Sequence, residues 1–400
     1  MDRINLEQLL AESARADDLL IVQDLDGVCM PLVRDPLTRR MDPGYVKAVR
    51  QLDHAFRVLT NGEHEGRRGV NRLVEKALGH PDLAKEEGLY LPGLAGGGVQ
   101  LQNRYGLCRH PGVSEAEMSF LAALPNRLEF LLAQQLSDLL PQLSSSEIKY
   151  QVEMAVLDTQ VSPTVNLNTI FGLIPEDVDL QQKLQHMLHE LLKSMLSKAA
   201  EMGLPDSFFL HLAPNLGRDG QFERLKPARI GEVGTTDIQF MLKGAVKEAG
   251  LLVLINQYIA NRFGKAPLGD DFNVRTAPST HQGLLELSLE KIPIDQMPLL
   301  IGVGDTVSSN FDSKQNAWLR GGSDRGFLTL LQEIGKAFDR SNRVVLVDSS
   351  GGELDRPNLS DGTLNGITDP EDPLHIDVLV PGGPADYIEW FKSLSTTCFG

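Results

Sequence analysis

Asp24 and Asp26 stand two residues apart, directly after the apolar run Leu20-Ile21-Val22 and just before Gly27. An apolar run that enters an Asp-x-Asp-Gly turn predicts a buried strand with acids at its C-terminal edge. Open parallel sheets place their sites there. As strand positions the two acids share a face while Leu25 points away. Carboxylates held this close repel unless a cation lies between them, which implies a hard, oxygen-ligated metal such as Mg2+. An Asp-rich turn without function would carry the same letters. The architecture repeats, however. Phe56-Arg57-Val58-Leu59 is a second short apolar strand, ending in Thr60-Asn61-Gly62. A hydroxyl and backbone N–H groups at the start of a following helix suit a phosphoryl oxygen. A third apolar strand, Met297 to Gly304, ends in Asp305.

The elements that must position these groups alternate between strand and helix at both ends of the chain. Helices are predicted over 5–16, Tyr45 to Leu52 and Arg67 to Leu78, and later over His281 to Glu290, 326–338 and 383–394. Strands are predicted at Arg343 to Asp348 and Ile376 to Val380. The middle has a different texture. Leucine-rich amphipathic segments cover 115–140, interrupted by Pro125, and 177–202, and Val152 to Leu157 alternates like a half-buried strand. Ser207 to Ala213 and Phe272 to Arg275 are further strand candidates, and Thr236 to Phe263 reads as one long helix. Such a block is expected to be an inserted α+β domain. The triple glycine Gly96-Gly97-Gly98 lacks the Lys-Ser/Thr and the opening helix of a phosphate loop, which excludes nucleotide binding there. The Gly/Asp/Pro-rich stretch 349–373 is a candidate mobile linker.

Composition narrows the partners. The chain has 400 residues, with 54 Asp plus Glu against 38 Lys plus Arg and a formal charge of -16. So acidic a chain is a poor ligand for nucleic acid or for an anionic membrane surface, though a bound cation still admits a small anionic substrate. The three cysteines, Cys29, Cys108 and Cys398, are too few and too scattered for a disulfide framework. No signal-peptide-like or bilayer-length apolar run is present, so a cytoplasmic protein is expected. Arg34, Arg39 and Arg40 lie near the acidic pair and could meet an anionic substrate, or could equally be solvated surface residues.

In order along the chain, Asp24-Leu25-Asp26-Gly27, Thr60-Asn61-Gly62 and Gly304-Asp305 resemble the first, second and fourth motifs of the haloacid-dehalogenase-like phosphohydrolases. The stretches Asp24 to Arg39 and Gly302 to Phe311 resemble more closely the branch that acts on phosphorylated glycosylglycerols during compatible-solute synthesis and salt acclimation. The resemblance implies an α/β fold, with a three-layer Rossmann-like core formed by residues 1–107 and 275–400. An α+β cap, 108–274, would be inserted into it and set specificity. It also implies a Mg2+-dependent phosphomonoesterase working through an aspartyl-phosphate. Asp24 would be nucleophile and metal ligand, and Asp26 the acid–base group, with its backbone carbonyl on the metal. Asp305 would be the other direct side-chain ligand, Asn310 or Asp312 would complete the shell, and Thr60, Asn61 and Gly62 would hold phosphate.

The implied partners are a sugar phosphate and, transiently, the synthase that makes it. Sucrose- or trehalose-phosphate phosphatase and a catalytically silent regulatory homologue are the alternatives. Two departures from the family pattern stand out. A second acid is expected four or five residues after Asp305, where the chain has Ser309 and Asn310. The third-motif lysine is also missing from its slot, which Gln282 fills. Lys243, 62 residues before Asp305, and Lys291 are its candidate replacements, and the chain could also lack one.

Overall fold

The computed structural model describes residues 3–157, 159–220 and 222–399. Its first stretch runs through α1 (Leu6–Ala14), β1 (Leu19–Gln23), α2 (Pro43–Gln51), β2 (Phe56–Leu59), α3 (Val70–Leu78), α4 (Pro81–Glu86), β3 (Gly93–Ala95), β4 (Gln100–Gln102) and β5 (Cys108–Arg109). The middle holds α5 (Glu115–Leu139), α6 (Ser145–Ala155), β6 (Val156–Leu157), β7 (Thr164–Asn166), α7 (Asn168–Phe171), α8 (Val178–Glu201), β8 (Phe208–Ala213), β9 (Asn215–Asp219), β10 (Phe222–Leu225) and β11 (Asp237–Leu242). The last stretch comprises α9 (Lys247–Phe263), α10 (His281–Lys291), β12 (Leu299–Gly304), β13 (Ser308–Asp312), β14 (Ala317–Gly321), α11 (Arg325–Ala337), β15 (Arg343–Val347), β16 (Val378–Val380) and α12 (Gly383–Phe399).

Eight strands form the main sheet in the order β16-β15-β12-β1-β2-β3-β4-β5, parallel from β16 to β3 and antiparallel at β4 and β5. β1 is central and every residue of it is buried. Its alternation assigns its two faces. Leu20 and Val22 pack into the cluster with α9 and α11, and Leu19 and Ile21 into the one with α2 and α12. Helices on both faces explain why β1 reads as a continuous apolar run.

The middle segment builds a second sheet, β6-β7-β11-β8, entirely antiparallel. One face is apolar: Ile238, Phe240 and Leu242 join Leu121, Leu124, Leu184 and Leu188 of α5 and α8. The Phe120, Phe208 and Phe240 rings sit 5.1–5.9 Å apart in this layer. The opposite face is polar, with Asp237 and Gln239 on β11 beside cross-strand Asn166, Thr164 and His211.

Four sequence expectations are corrected here. α5 continues through Pro125, because its long buried leucine face holds the helix together where one backbone hydrogen bond is lost. Val152 to Ala155 is helix, since Ser144 and Glu147 form a capping box that launches α6, and only Val156–Leu157 is strand. Thr236 to Phe263 divides into β11 and α9 at Gly244, which has φ 86 and whose Cβ would lie 2.6 Å from the Val274 carbonyl oxygen. Phe272 to Arg275 is irregular chain entering a turn, not a strand. The split moves a boundary. The expected cap, 108–274, includes α9, yet α9 packs on β1, β2 and β3, so the chain rejoins the main sheet near Val246. No helix among the described residues is long and apolar enough to cross a membrane.

Candidate active site

Asp24 directly follows β1 and Asp305 directly follows β12, the neighbouring parallel strand, so the two carboxylates emerge side by side. A third acid, Asp324, precedes α11, and its Oδ2 accepts from the Asp305 and Thr306 backbone N–H groups at 3.0 Å each. Lys247, the first residue of α9, reaches all the way in. Its Nζ lies 2.6 Å from Asp24 Oδ2 and 2.6 Å from Asp324 Oδ1, with the lysine side chain 1% exposed. Asp24 Oδ1 accepts from the Leu25 backbone N–H at 2.8 Å. One carboxylate oxygen from each of the three acids falls within 4.8 Å of the others.

The electrostatics fit a site built for a cation. Burial first, then the Asp324 and Asp305 charges, raise Asp24 to about 7 despite the opposing pull of Lys247. Burial and Asp324 raise Asp305 to about 6. For Lys247, burial acts to lower the proton affinity, but the Asp24 and Asp324 carboxylates outweigh it and hold the ammonium firmly charged. Asp305 Oδ2 is buried and meets no hydrogen-bond partner among the described residues. Beside it Gly27, at φ 80, leaves a hollow in which a Cβ would stand 2.2 Å from that oxygen. An unsatisfied carboxylate oxygen within an all-oxygen acidic set matches a hard divalent ion.

Around this centre lie the other expected groups. Asp26 Oδ2 is 2.9 Å from Arg39 Nη1, which also donates to Oδ1 at 3.1 Å, so Arg39 orients the acid. Arg34 and Arg40 are exposed. Thr60 Oγ1 accepts from the Gly62 backbone N–H at 3.2 Å, and a Cβ on Gly62 would stand 3.9 Å from Asp26 Oδ2. Asn61 Nδ2 meets His211 Nε2 of β8 at 3.0 Å, and His211 Nδ1 is 3.0 Å from Glu223. The triple glycine forms a short turn where the inserted sheet approaches: a Cβ at Gly97 would lie 2.5 Å from Met241 Cε.

The lysine candidates fall elsewhere. Lys243 is exposed, Lys291 pairs with neighbouring Glu290, and Gln282 donates to Glu286. Lys247 stands in their place. A single helix drawn over 236–263 hides it in mid-helix, whereas its real position is the first turn of α9. Asp324 was hidden for a related reason, since the β13–β14 hairpin sets it 19 residues beyond Asp305. The signal in the sequence is an acid immediately before the 326–338 helix. Ser309 instead donates to Asp369, and Asn310 lines a cavity with Asp305 and Arg356.

A mostly parallel α/β sheet with buried acids at adjacent strand ends, and a second, antiparallel sheet inserted between its strands, is the arrangement of the haloacid-dehalogenase-like phosphohydrolases. The sequence profile described as glucosylglycerol-phosphate phosphatase matches residues 18–395. A glucosylglycerol-phosphate phosphatase of Synechocystis sp. is 47% identical over 391 residues, covering 95% of this chain and 93% of its own. The chain belongs to the glucosylglycerol-phosphate phosphatase family. Among solved structures it is similar to a Candida albicans trehalose-6-phosphate phosphatase C-terminal domain (TM-score 0.47, 12% identity, 99% and 98% of the two chains). It is also similar to an Aspergillus fumigatus trehalose-6-phosphate phosphatase (TM-score 0.39, 10% identity, 99% of each).

Proposed function

We propose that the protein hydrolyses glucosylglycerol 3-phosphate to glucosylglycerol and phosphate, working in the cytoplasm beside the synthase that supplies its substrate. The observation that carries the chemistry is the buried Asp24–Lys247–Asp324 bridge next to the unsatisfied Asp305 Oδ2. The substrate comes from the named relative. Asp24, Asp305 and Asp324, with the Asp26 backbone carbonyl, would hold Mg2+, which when bound supplies charge neutralisation for the phosphoryl group. Asp24 attacks phosphorus in line, forming an acyl phosphate as the ester P–O bond breaks. Asp26, aimed by Arg39, gives its proton to the departing sugar oxygen. Water then attacks phosphorus, Asp26 takes the proton, and the Asp24–phosphorus bond breaks. Lys247 fixes the Asp24 carboxylate and offsets the charge on the phosphoryl oxygens. The Thr60 hydroxyl and the Asn61 backbone N–H receive those oxygens, the Thr60 N–H being given to the Leu94 carbonyl and the Gly62 N–H to Thr60 Oγ1.

The test is kcat/KM for glucosylglycerol 3-phosphate, sucrose 6-phosphate, trehalose 6-phosphate and glycerol 3-phosphate under one Mg2+ condition, repeated after chelation. Glucosylglycerol 3-phosphate is expected to be preferred. Activity should vanish with chelator and return with Mg2+ but not Ca2+, whose larger shell takes more ligands. Equal values across all four substrates would defeat the assignment, and preference for a disaccharide phosphate would keep the mechanism and change the substrate.

A further inference from the structure

Unsatisfied polar atoms are concentrated where the inserted sheet faces the main one. Asp237 Oδ1 and Gln239 Oε1, on the polar face of β11, are buried and meet no hydrogen-bond partner among the described residues. Arg356 Nε and Asn310 Nδ2 are in the same condition, and both side chains line one cavity with Asp305 and with Asn168 and Thr236 of the inserted segment, Thr236 being the residue directly before Asp237. A buried donor or acceptor without a partner costs about 1–3 kcal/mol. Each wall carries both kinds of group, Asp237 Oδ1, Gln239 Oε1 and Asn168 Nδ2 on the inserted side against Arg356 Nε, Asn310 Nδ2 and Asp305 Oδ2, as a polyhydroxyl ligand that both donates and accepts requires.

We propose that the glucosyl unit is held in a split site, with Asp237 and Gln239 of β11 accepting from its hydroxyls and Arg356 of the 349–373 segment donating to them. The proposal rests on the glucosylglycerol reading and extends it to residues. Burial raises the Asp237 carboxyl to about 7, while the Arg356 charge and a hydrogen bond from Asn166 oppose that rise and the Asp26 charge adds to it. Arg356 lines the cavity together with Asp305, and its charge lowers the carboxyl pKa of both Asp305 and Asp237. It is also held in place. The segment predicted as a mobile linker is fastened by Arg320 to Asp369 (2.8 and 2.8 Å) and by Arg325 to Asp372 (2.7 and 2.8 Å). Near its start, the Glu353 backbone N–H donates to the Leu32 carbonyl at 2.8 Å. Preformed polar walls of this kind discriminate against ligands lacking the hydroxyls, because their own groups then stay unpaired.

The experiment compares Asp237→Asn, Gln239→Ala and Arg356→Lys with the parent enzyme in Mg2+. It reads the ratio of kcat/KM for glucosylglycerol 3-phosphate to that for glycerol 3-phosphate. Each variant is expected to lower this ratio by about tenfold or more. Calorimetric affinity for free glucosylglycerol is expected to weaken by a similar factor. A ratio and an affinity that stay within about twofold of the parent in all soluble variants overturn the split site. If Asp237→Asn does not fold, Gln239→Ala and Arg356→Lys decide alone. A parent ratio near one overturns the function and the inference together. A high parent ratio that no variant changes overturns the inference only.

Discussion

Lys247 is a buried ammonium between two buried carboxylates, and its value to the molecule shows on removal. Taking one partner out of such a set leaves charges uncompensated, which typically costs about 3–5 kcal/mol. Lys247→Met should therefore lower the unfolding midpoint clearly. It should also reduce kcat/KM by roughly 10²–10³-fold, as loss of a single preorganised donor does. Lys247→Arg should not restore activity, because a planar fork does not fit a pocket that leaves the lysine side chain 1% exposed. Thermal unfolding and steady-state kinetics on the two variants check this, and an active arginine variant would count against it. Asp24 and Asp305 were legible in the sequence because each follows an apolar strand directly, and Asp26 because it stands two residues after Asp24. Lys247 and Asp324 were not. Each stands at the start of a helix whose first residue depends on tertiary events, a glycine break at Gly244 and a hairpin after Asp305.

The turn between β2 and α3 ties the two sheets together. The Glu63 carboxylate accepts from the Gln160, Val161 and Ser162 backbone N–H groups and from Ser162 Oγ at 2.7–2.9 Å. Burial pushes that carboxyl upward, and these four donors oppose it. Glu63→Ala would strand three backbone donors and should destabilise by about 3 kcal/mol, with faster amide exchange at 160–162 as the local signature. Next to it His64 is fully enclosed, with Nε2 3.2 Å from the Gly93 carbonyl and Nδ1 3.3 Å from Gln102 Nε2. Burial lowers its pKa from 6.5 to about 4. In that window the unfolded chain binds the proton and the folded one does not. Stability is therefore lost as pH falls from about 6.5 to about 4, by up to on the order of 3 kcal/mol. Asp24 and Asp305, raised rather than lowered, act in the opposite sense. The difference between parent and His64→Gln in urea unfolding across that range isolates the histidine, and parallel pH profiles would rule it out. Elements with two covered faces, such as β1 and β12, could be read from apolar runs alone. β11 could not, because its polar face breaks the run and imitates a helix pattern.

Taken whole, the molecule divides the work between two sheets. The main sheet supplies Asp24 and Asp305 at its strand ends, and the helices α9 and α11 packed on it supply Lys247 and Asp324 at their starts. The inserted sheet turns a polar face toward them and its apolar face to α5 and α8. The alternating outer parts and the different middle texture were visible in the sequence. Where the chain returns to the core was not, since only packing shows that α9 covers β1 rather than the insertion. The central claim is that Asp24 carries the phosphoryl group during turnover. Enzyme turning over glucosylglycerol 3-phosphate with Mg2+ is quenched in acid, reduced with borohydride and mapped by mass spectrometry. Borohydride converts an acyl phosphate to an alcohol, so the account predicts homoserine at position 24 and intact aspartate at Asp26, Asp305 and Asp324. Reduction at one of those three with Asp24 untouched, or no reduced residue in a sample that is turning over, would contradict it.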